Sequence, residues 1–227
     1  MQMEITWFGH ANFRIETEAA SVLIDPFFVG NPSSPATYKE IERGDIILVT
    51  HDHTDHIGQT LELAIRLDAE VVAMPEIIQS LIGMGLPESL GVGMNIGGTV
   101  ERLGISIKMV QALHSSINGM PAGFILTMPD GTCLYNSGDT GLFSDMELFS
   151  KFHDIDIAML PIGGRYTMDP QQAAYACSLL KCKRVIPMHW GTWPILGQNT
   201  ESMAEHLSLM APDTKMLELE IGKRTKI

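Results

Sequence analysis

Ile46-Ile47-Leu48-Val49 is a continuous apolar run, and two residues later the chain reads His51-Asp52-His53-Thr54-Asp55-His56. The pair of features constrains the fold more than any other. An apolar run this short, without alternation, suits a strand buried on both faces, and such a strand belongs in a sheet covered on both sides. Three histidines and two aspartates in the next six residues suit neither a core nor an ordinary turn. Imidazole and carboxylate together are the donors that zinc and its first-row neighbours prefer. In an extended segment side chains alternate, so His51 and His53 face one way. Asp55 and His56 follow the turn into a helix and are placed to face a second ion. Asp52 falls between ligand positions and is expected to be solvated.

The remaining elements read as mixed α and β. Glu4 to Phe8, Asn12 to Ile15 and Ser21 to Ile24 are strand-like, and Val29 to Tyr38 is a Pro-, Ser- and Asn-rich loop. Ile57, Leu61, Ala64 and Ile65 share one helical face. Val71 to Met74 is a strand ended by Pro75, and glycine-rich turns fill Gly83 to Gly98. Thr99 to Leu103 and Ile105 to Leu113 pair around Gly104. Phe124 to Met128 and Thr132 to Asn136 flank the turn Pro129-Asp130-Gly131. Ile155 to Leu160, Arg184 to Pro187 and Met216 to Leu219 are strands, and Thr200 to Met210 is a helix. Asp169-Pro170-Gln171-Gln172 opens another helix, with Asp as cap, Pro first and Gln third. Each half starts strand-rich and then alternates strand with helix. That order predicts two mixed sheets packed face to face with helices outside, in the α/β (α+β) class. One domain over 1–227 is expected, and no sequence repeat between the halves is evident.

Three more metal-competent residues follow predicted strands: His114 after Leu113, Asp139 in Ser137-Gly138-Asp139-Thr140, and His189 after Pro187. Alone, each is an ordinary polar loop residue. Together they repeat what His51 does at its own strand end. His10 and Asp25 also follow strands, and either orients a ligand or plays a local part, Asp25 as a turn former and His10 at the surface. Arg165, Tyr166 and Trp193 lie in the same kind of loop, and Arg165 is the natural partner for an anionic group. His153 and His206 have no such context and are expected at the surface.

The sequence also excludes function classes. A net charge of -12 opposes nonspecific nucleic-acid binding, which needs clustered Lys and Arg. No stretch reaches the about 18 uninterrupted apolar residues of a membrane span. Met1-Gln2-Met3-Glu4 lacks the basic and apolar regions of a signal peptide. Cys133, Cys177 and Cys182 are too few and too irregular for a disulfide framework, so a cytoplasmic protein with reduced thiols is expected. Neither a GxxxxGK[ST] phosphate loop nor a GxSxG nucleophile elbow occurs. The apolar segments Trp193-Pro194-Ile195 and Gly83 to Met94 are either core or the contact surface of a homo-oligomer.

The pattern HxHxDH, then a distant His, a Gly-Asp and a last His, resembles the metallo-β-lactamase superfamily over the whole chain. Trp7-Phe8-Gly9-His10-Ala11, Leu23-Ile24-Asp25-Pro26-Phe27, Leu160-Pro161-Ile162-Gly163-Gly164 and Pro187-Met188-His189-Trp190-Gly191-Thr192 resemble its UPF0173 group. That group is similar in layout to the ascorbate-6-phosphate lactonase branch and to the phospholipase D acting on N-acyl phosphatidylethanolamines. The resemblance implies the αββα sandwich with the site at one edge. It implies that His51, His53 and His114 bind one divalent ion, that Asp55, His56 and His189 bind another, and that Asp139 bridges both. Asp55 and Asp139 are the expected catalytic carboxylates. The ions are Zn, Mn, Ni or Fe, and the activity is hydrolysis of a small ester, lactone or phosphodiester by metal-activated water. A redox di-iron protein or a non-catalytic metal-binding module on the same fold is the alternative.

Overall fold

The computed structural model describes residues 3–227, so the N-terminal reading falls partly outside it, on Met1 and Gln2. The chain divides into two compact units. The first runs to Gly98 and takes in Ser115–Pro121 and Leu219–Ile227; the second holds Thr99–His114 and Ala122–Glu218.

The first unit is built on strands β1 (Glu4–Trp7), β2 (Phe13–Glu16), β3 (Ser21–Ile24), β4 (Ile46–Leu48), β5 (Glu70–Ala73) and β6 (Gly91–Gly93). They lie in chain order across one sheet, and the last strand, β14 (Arg224–Lys226), pairs beside β1. From β14 to β3 each pairing is antiparallel, and from β3 to β6 each is parallel. Every residue of β3 and β4 is buried, as strands covered on both faces require. Because β2 runs opposite to its neighbours, β1, β3 and β4 point the same way. The residues that follow them, His10, Asp25 and His51, therefore emerge at one edge of the sheet.

The helical reading from Ile57 needs correction. Gly58 interrupts it, leaving α1 (Thr54–Ile57) and α2 (Thr60–Leu67). A Cβ on Gly58 would lie 2.4 Å from the Pro26 carbonyl oxygen, so the chain passes there only as glycine and with φ +39°. The helix restarts in a new phase, burying Thr60, Leu63 and Ala64 and leaving Ile65 exposed. The restart places the Gln59 side chain to accept hydrogen bonds from the Phe28 and Val29 amides, which holds the loop after Asp25. Pro75 ends β5 as expected, but it also opens α3 (Pro75–Gly83), where a proline at the first helical position costs no hydrogen bond. Leu86, Leu90 and Met94 from the glycine-rich stretch are buried, while most residues around them, Met84 among them, are exposed.

The second unit has strands β7 (Thr99–Arg102), β8 (Ile105–Gln111), β9 (Ala122–Thr127), β10 (Cys133–Asn136), β11 (Ile157–Pro161), β12 (Arg184–Met188) and β13 (Lys215–Met216), side by side in that order. Three antiparallel pairings are again followed by three parallel ones. The sheet repeats the strand order of the first unit, although no sequence repeat announces it. Here β8, β10, β11 and β12 run the same way, so His114, Asp139 and His189 emerge at one edge. Helices α4 (Met146–Phe152), α5 (Pro170–Leu180) and α6 (Glu201–Met210) complete the unit. Ala173, Ala174, Ala176, Cys177 and Leu180 of α5 pack in one core with Leu160, Val185, Met203 and Leu207. The expected cap is present: Asp169 accepts the Gln172 amide at 2.8 Å. All three cysteines are buried free thiols. Among the described residues no helix is long and apolar enough to cross a membrane.

Candidate metal centre

In the first unit the ligand candidates are held by one buried carboxylate. Asp25 is fully buried, with its backbone in the left-handed region at φ 46°. Its Oδ1 accepts the Thr50 amide at 2.9 Å. Its Oδ2 accepts the Thr50 hydroxyl at 2.6 Å and His56 Nδ1–H at 2.7 Å. With the Thr50 proton committed to Asp25, the Thr50 oxygen accepts from His51 Nδ1, 3.0 Å away. Asp25 thus sets the tautomer of both histidines and turns each Nε2 lone pair toward the site. Asp25 does more than form a local turn, because its carboxylate reaches Thr50 and His56. Thr50, which the sequence reading passed over, is the relay; its position directly before His51 was the available signal.

His53 is held by its other nitrogen. Its Nε2 lies 3.4 Å from Ser115 Oγ, and its Nδ1 lies 3.0 Å from His51 Nε2. His10 is fully buried rather than at the surface, and its Nε2 is 3.1 Å from Asp55 Oδ2. The donor atoms of His10, Asp55 and His56 lie within 4.8 Å of one another.

Asp52 is not solvated. It is 7% exposed and receives the amides of Ile117 and Asn118 at 2.7 and 3.0 Å, the Asn118 side-chain amide at 2.6 Å and the Ser116 hydroxyl at 2.8 Å. Burial raises its pKa, but these hydrogen bonds together outweigh burial and hold it below the usual carboxylate value. The expectation failed because the loop that supplies the donors lies more than sixty residues away in sequence.

In the second unit Asp139 is 3% exposed. Its Oδ2 lies 3.0 Å from His189 Nε2 and 3.6 Å from His114 Nε2, so both imidazoles converge on one carboxylate oxygen. Thr140 ties the loops together, because its Oγ1 accepts the Leu113 amide and the Gly141 amide reaches the Leu113 carbonyl. Gly163 makes room for His189: a Cβ there would meet the His189 carbonyl oxygen at 2.5 Å. Arg165 is exposed and lies over the Tyr166 ring, 6.0 Å from its centroid. His153 and His206 are half-buried rather than fully exposed at the surface.

These donor sets fit divalent cations. All are imidazole nitrogens or carboxylate oxygens, and the hydrogen bonds at Nδ1 of His51 and His56 leave each Nε2 to present a lone pair. The 3.0 Å between His51 Nε2 and His53 Nδ1 falls in the window two nitrogens need to share an ion. At metal–nitrogen bonds of about 2.0–2.1 Å and octahedral to tetrahedral angles, that window is roughly 2.9–3.4 Å.

Comparison with known proteins agrees. A sequence profile of the β-lactamase superfamily domain matches residues 4–189. The UPF0173 metal-dependent hydrolase of Nitratidesulfovibrio vulgaris is 50% identical over 226 residues, covering 98% of this chain and 95% of its own. Its counterpart in Lawsonia intracellularis is 46% identical over 223 residues, 97% of each chain. Igni18, a metallo hydrolase from the archaeon Ignicoccus hospitalis, superposes with a TM-score of 0.91 at 33% identity, over 100% of this chain and 99% of its own. The metallo-β-lactamase fold protein YhfI of Bacillus subtilis shares the fold at 11% identity, with a TM-score of 0.79 and full coverage of both chains. With two mixed sheets, a His/Asp set able to bind metal and these relatives, the chain has the metallo-β-lactamase fold and belongs to that superfamily, in its UPF0173 group of metal-dependent hydrolases.

Proposed function

We propose that the chain acts as a single domain over 1–227 and hydrolyses a small ester, lactone or phosphodiester with the help of two divalent cations. His51, His53 and His114 hold one ion, Asp55, His56 and His189 hold the other, and Asp139 touches both. The observation that carries this reading is the Asp25 network, in which one buried carboxylate orients two histidines for coordination. A buried group with no other task would not need two imidazoles aligned through a threonine relay. Zn, Mn, Ni and Fe all suit nitrogen and carboxylate donors. Bound at such a set, cations acidify water toward neutral pH and stabilise negative charge on a substrate oxygen. Asp55, whose Oδ2 lies 3.1 Å from His10 Nε2, would help hold the second ion and would be the carboxylate available to accept a proton from the attacking water. Arg165, exposed and charged, pairs with an anionic group of the substrate.

Metal analysis of the wild type beside His53→Ala and Asp139→Ala tests the centre. Both variants are expected to lose metal and activity while keeping the wild-type circular dichroism spectrum. Unchanged metal content in both removes the reading. A substrate screen with the Mn²⁺- or Zn²⁺-loaded enzyme tests the chemistry. Absence of turnover on all three substrate classes removes hydrolysis of them, and redox-active iron kept through purification selects the di-iron alternative. The free buried thiols support a cytoplasmic setting. Exposed Ile195 beside Pro194 supports a homo-oligomer, for which sedimentation equilibrium is the check.

A further inference from the structure

One face of the second sheet changes character along a single row. Tyr135, Ile125, Lys108 and Thr99 stand side by side on β10, β9, β8 and β7, so their side chains share a face. Helix α4 packs on that face, with the Phe149 ring 5.5 Å from the Tyr135 ring. Tyr135 and Ile125 are buried, but Lys108 is half-buried and Thr99 exposed. The helix ends one turn after Phe149, at Phe152, which is 79% exposed. Ser106 and Thr127 pair in the neighbouring row of the same face. Their sequence neighbours Ile105, Ile107 and Leu126 turn to the opposite face and are buried.

The corner that α4 leaves uncovered is a cavity of about 360 Å³. The sheet lines it with Lys108, Ile125 and the hydroxyl residues Thr99, Ser106 and Thr127, and the end of α4 adds Phe152 and His153. Small-ligand sites run to roughly 300–1,000 Å³ and combine apolar walls with a few polar groups. Burial first, and then the nearby Lys108 ammonium, hold the His153 pKa below its usual value. The ammonium therefore acts across this cavity. No carboxylate lines it, and Glu101, opposite Ser106 on β7, stands outside the lining. One ammonium, three hydroxyls and an aromatic ring together suit an anion with an apolar body. A single ammonium balances a single negative charge, which favours a carboxylate over a phosphate dianion.

We propose that this cavity binds a small organic carboxylate, with its head group at Lys108 and the hydroxyls of Ser106 and Thr127 and its apolar body against Ile125 and Phe152. The site lies wholly within the second unit and uses none of the candidate metal ligands, so it stands apart from the hydrolase reading.

Amide NMR shifts on the full chain in the presence of Zn²⁺ test it, with benzoate, acetate and benzyl alcohol as probes. Benzoate should give saturable shifts at Ser106, Lys108 and Thr127. It should bind there about tenfold or more tighter than acetate, which lacks the ring, and about threefold or more tighter than benzyl alcohol, which lacks the charge. Lys108→Met should remove the preference for the acid over the alcohol, and Lys108→Arg should keep it. Phe152→Ser should weaken benzoate about fivefold or more. Lys151→Met, which removes an exposed charge outside the cavity, should change nothing. Saturable shifts confined to residues around His51 and His114 would assign the anion to the metal centre and overturn the site. Equal affinity for acid and alcohol, or a preference that survives Lys108→Met or is lost in Lys151→Met, also overturns it.

Discussion

Asp25 shows how a single buried side chain controls chemistry it does not perform. It is fully buried and pairs with His56 and Thr50, so its removal strands three donors and releases two histidine tautomers. Asp25→Ala is expected to weaken metal binding by about 10–100-fold, the usual effect of losing a group that orients a ligand. Competition with a fluorescent chelator would measure it, and an unchanged affinity would remove Asp25 from the account. Tyr135 makes the opposite case. It is fully buried, burial pushes its pKa up, and its hydroxyl has no hydrogen-bond partner among the described residues. A buried hydroxyl without a partner costs about 1–3 kcal/mol, so Tyr135→Phe should leave stability unchanged or raise it by about 1 kcal/mol. Urea denaturation decides; a loss of about 2 kcal/mol would mean that the phenol is bonded after all. A cluster able to bind metal was legible in His51, His53, Asp55 and His56 from donor chemistry alone. Asp52 was misread as solvated, because its partners sit on a distant loop.

Elements were legible where local signals agree. The Asp169-Pro170-Gln172 pattern opens α5 as read, because capping is a contact between near neighbours. Helix α3 was missed, since proline ends a strand and begins a helix with the same residue. The break at Gly58 was missed because its cause is the Pro26 carbonyl, thirty-two residues earlier. Between elements, Asp156 ties the start of β10 to β11, accepting the Cys133 amide at 2.9 Å and the Lys183 ammonium at 2.7 Å. Burial raises its pKa, but these two partners outweigh burial and lower it from 3.8. A lowered aspartate pKa contributes stability above the ordinary value, and that contribution is lost as pH falls below it. The stability advantage of the wild type over Asp156→Asn should therefore be full near neutrality and shrink as the solution is acidified below the ordinary aspartate value. Urea midpoints across that range test this, and an advantage independent of pH would show that the charge contributes nothing.

At the scale of the whole molecule, a metal ion that binds the folded chain and not the unfolded chain stabilises it by mass action. At free metal about a thousandfold above the dissociation constant, one ion adds about 4 kcal/mol. For a chain of this size that corresponds to about 8–16 °C in melting temperature, and chelation is expected to lower it by at least that much. A melting temperature indifferent to chelator would contradict a metal centre of this kind. By itself the sequence determined the chemistry of the ligands, the apolar strands and the helix starts, because donor type, hydropathy and capping act over a few residues. It joined His114, Asp139 and His189 only through their recurrence at strand ends and a family resemblance, and it left His10 and Asp25 with two readings each. The sheets decided those cases. Strand direction brings His10, Asp25 and His51 to one edge of the first sheet and His114, Asp139 and His189 to one edge of the second. Burial then forces their polar atoms to find partners, and those partners lie far away in sequence, where no local pattern can register them.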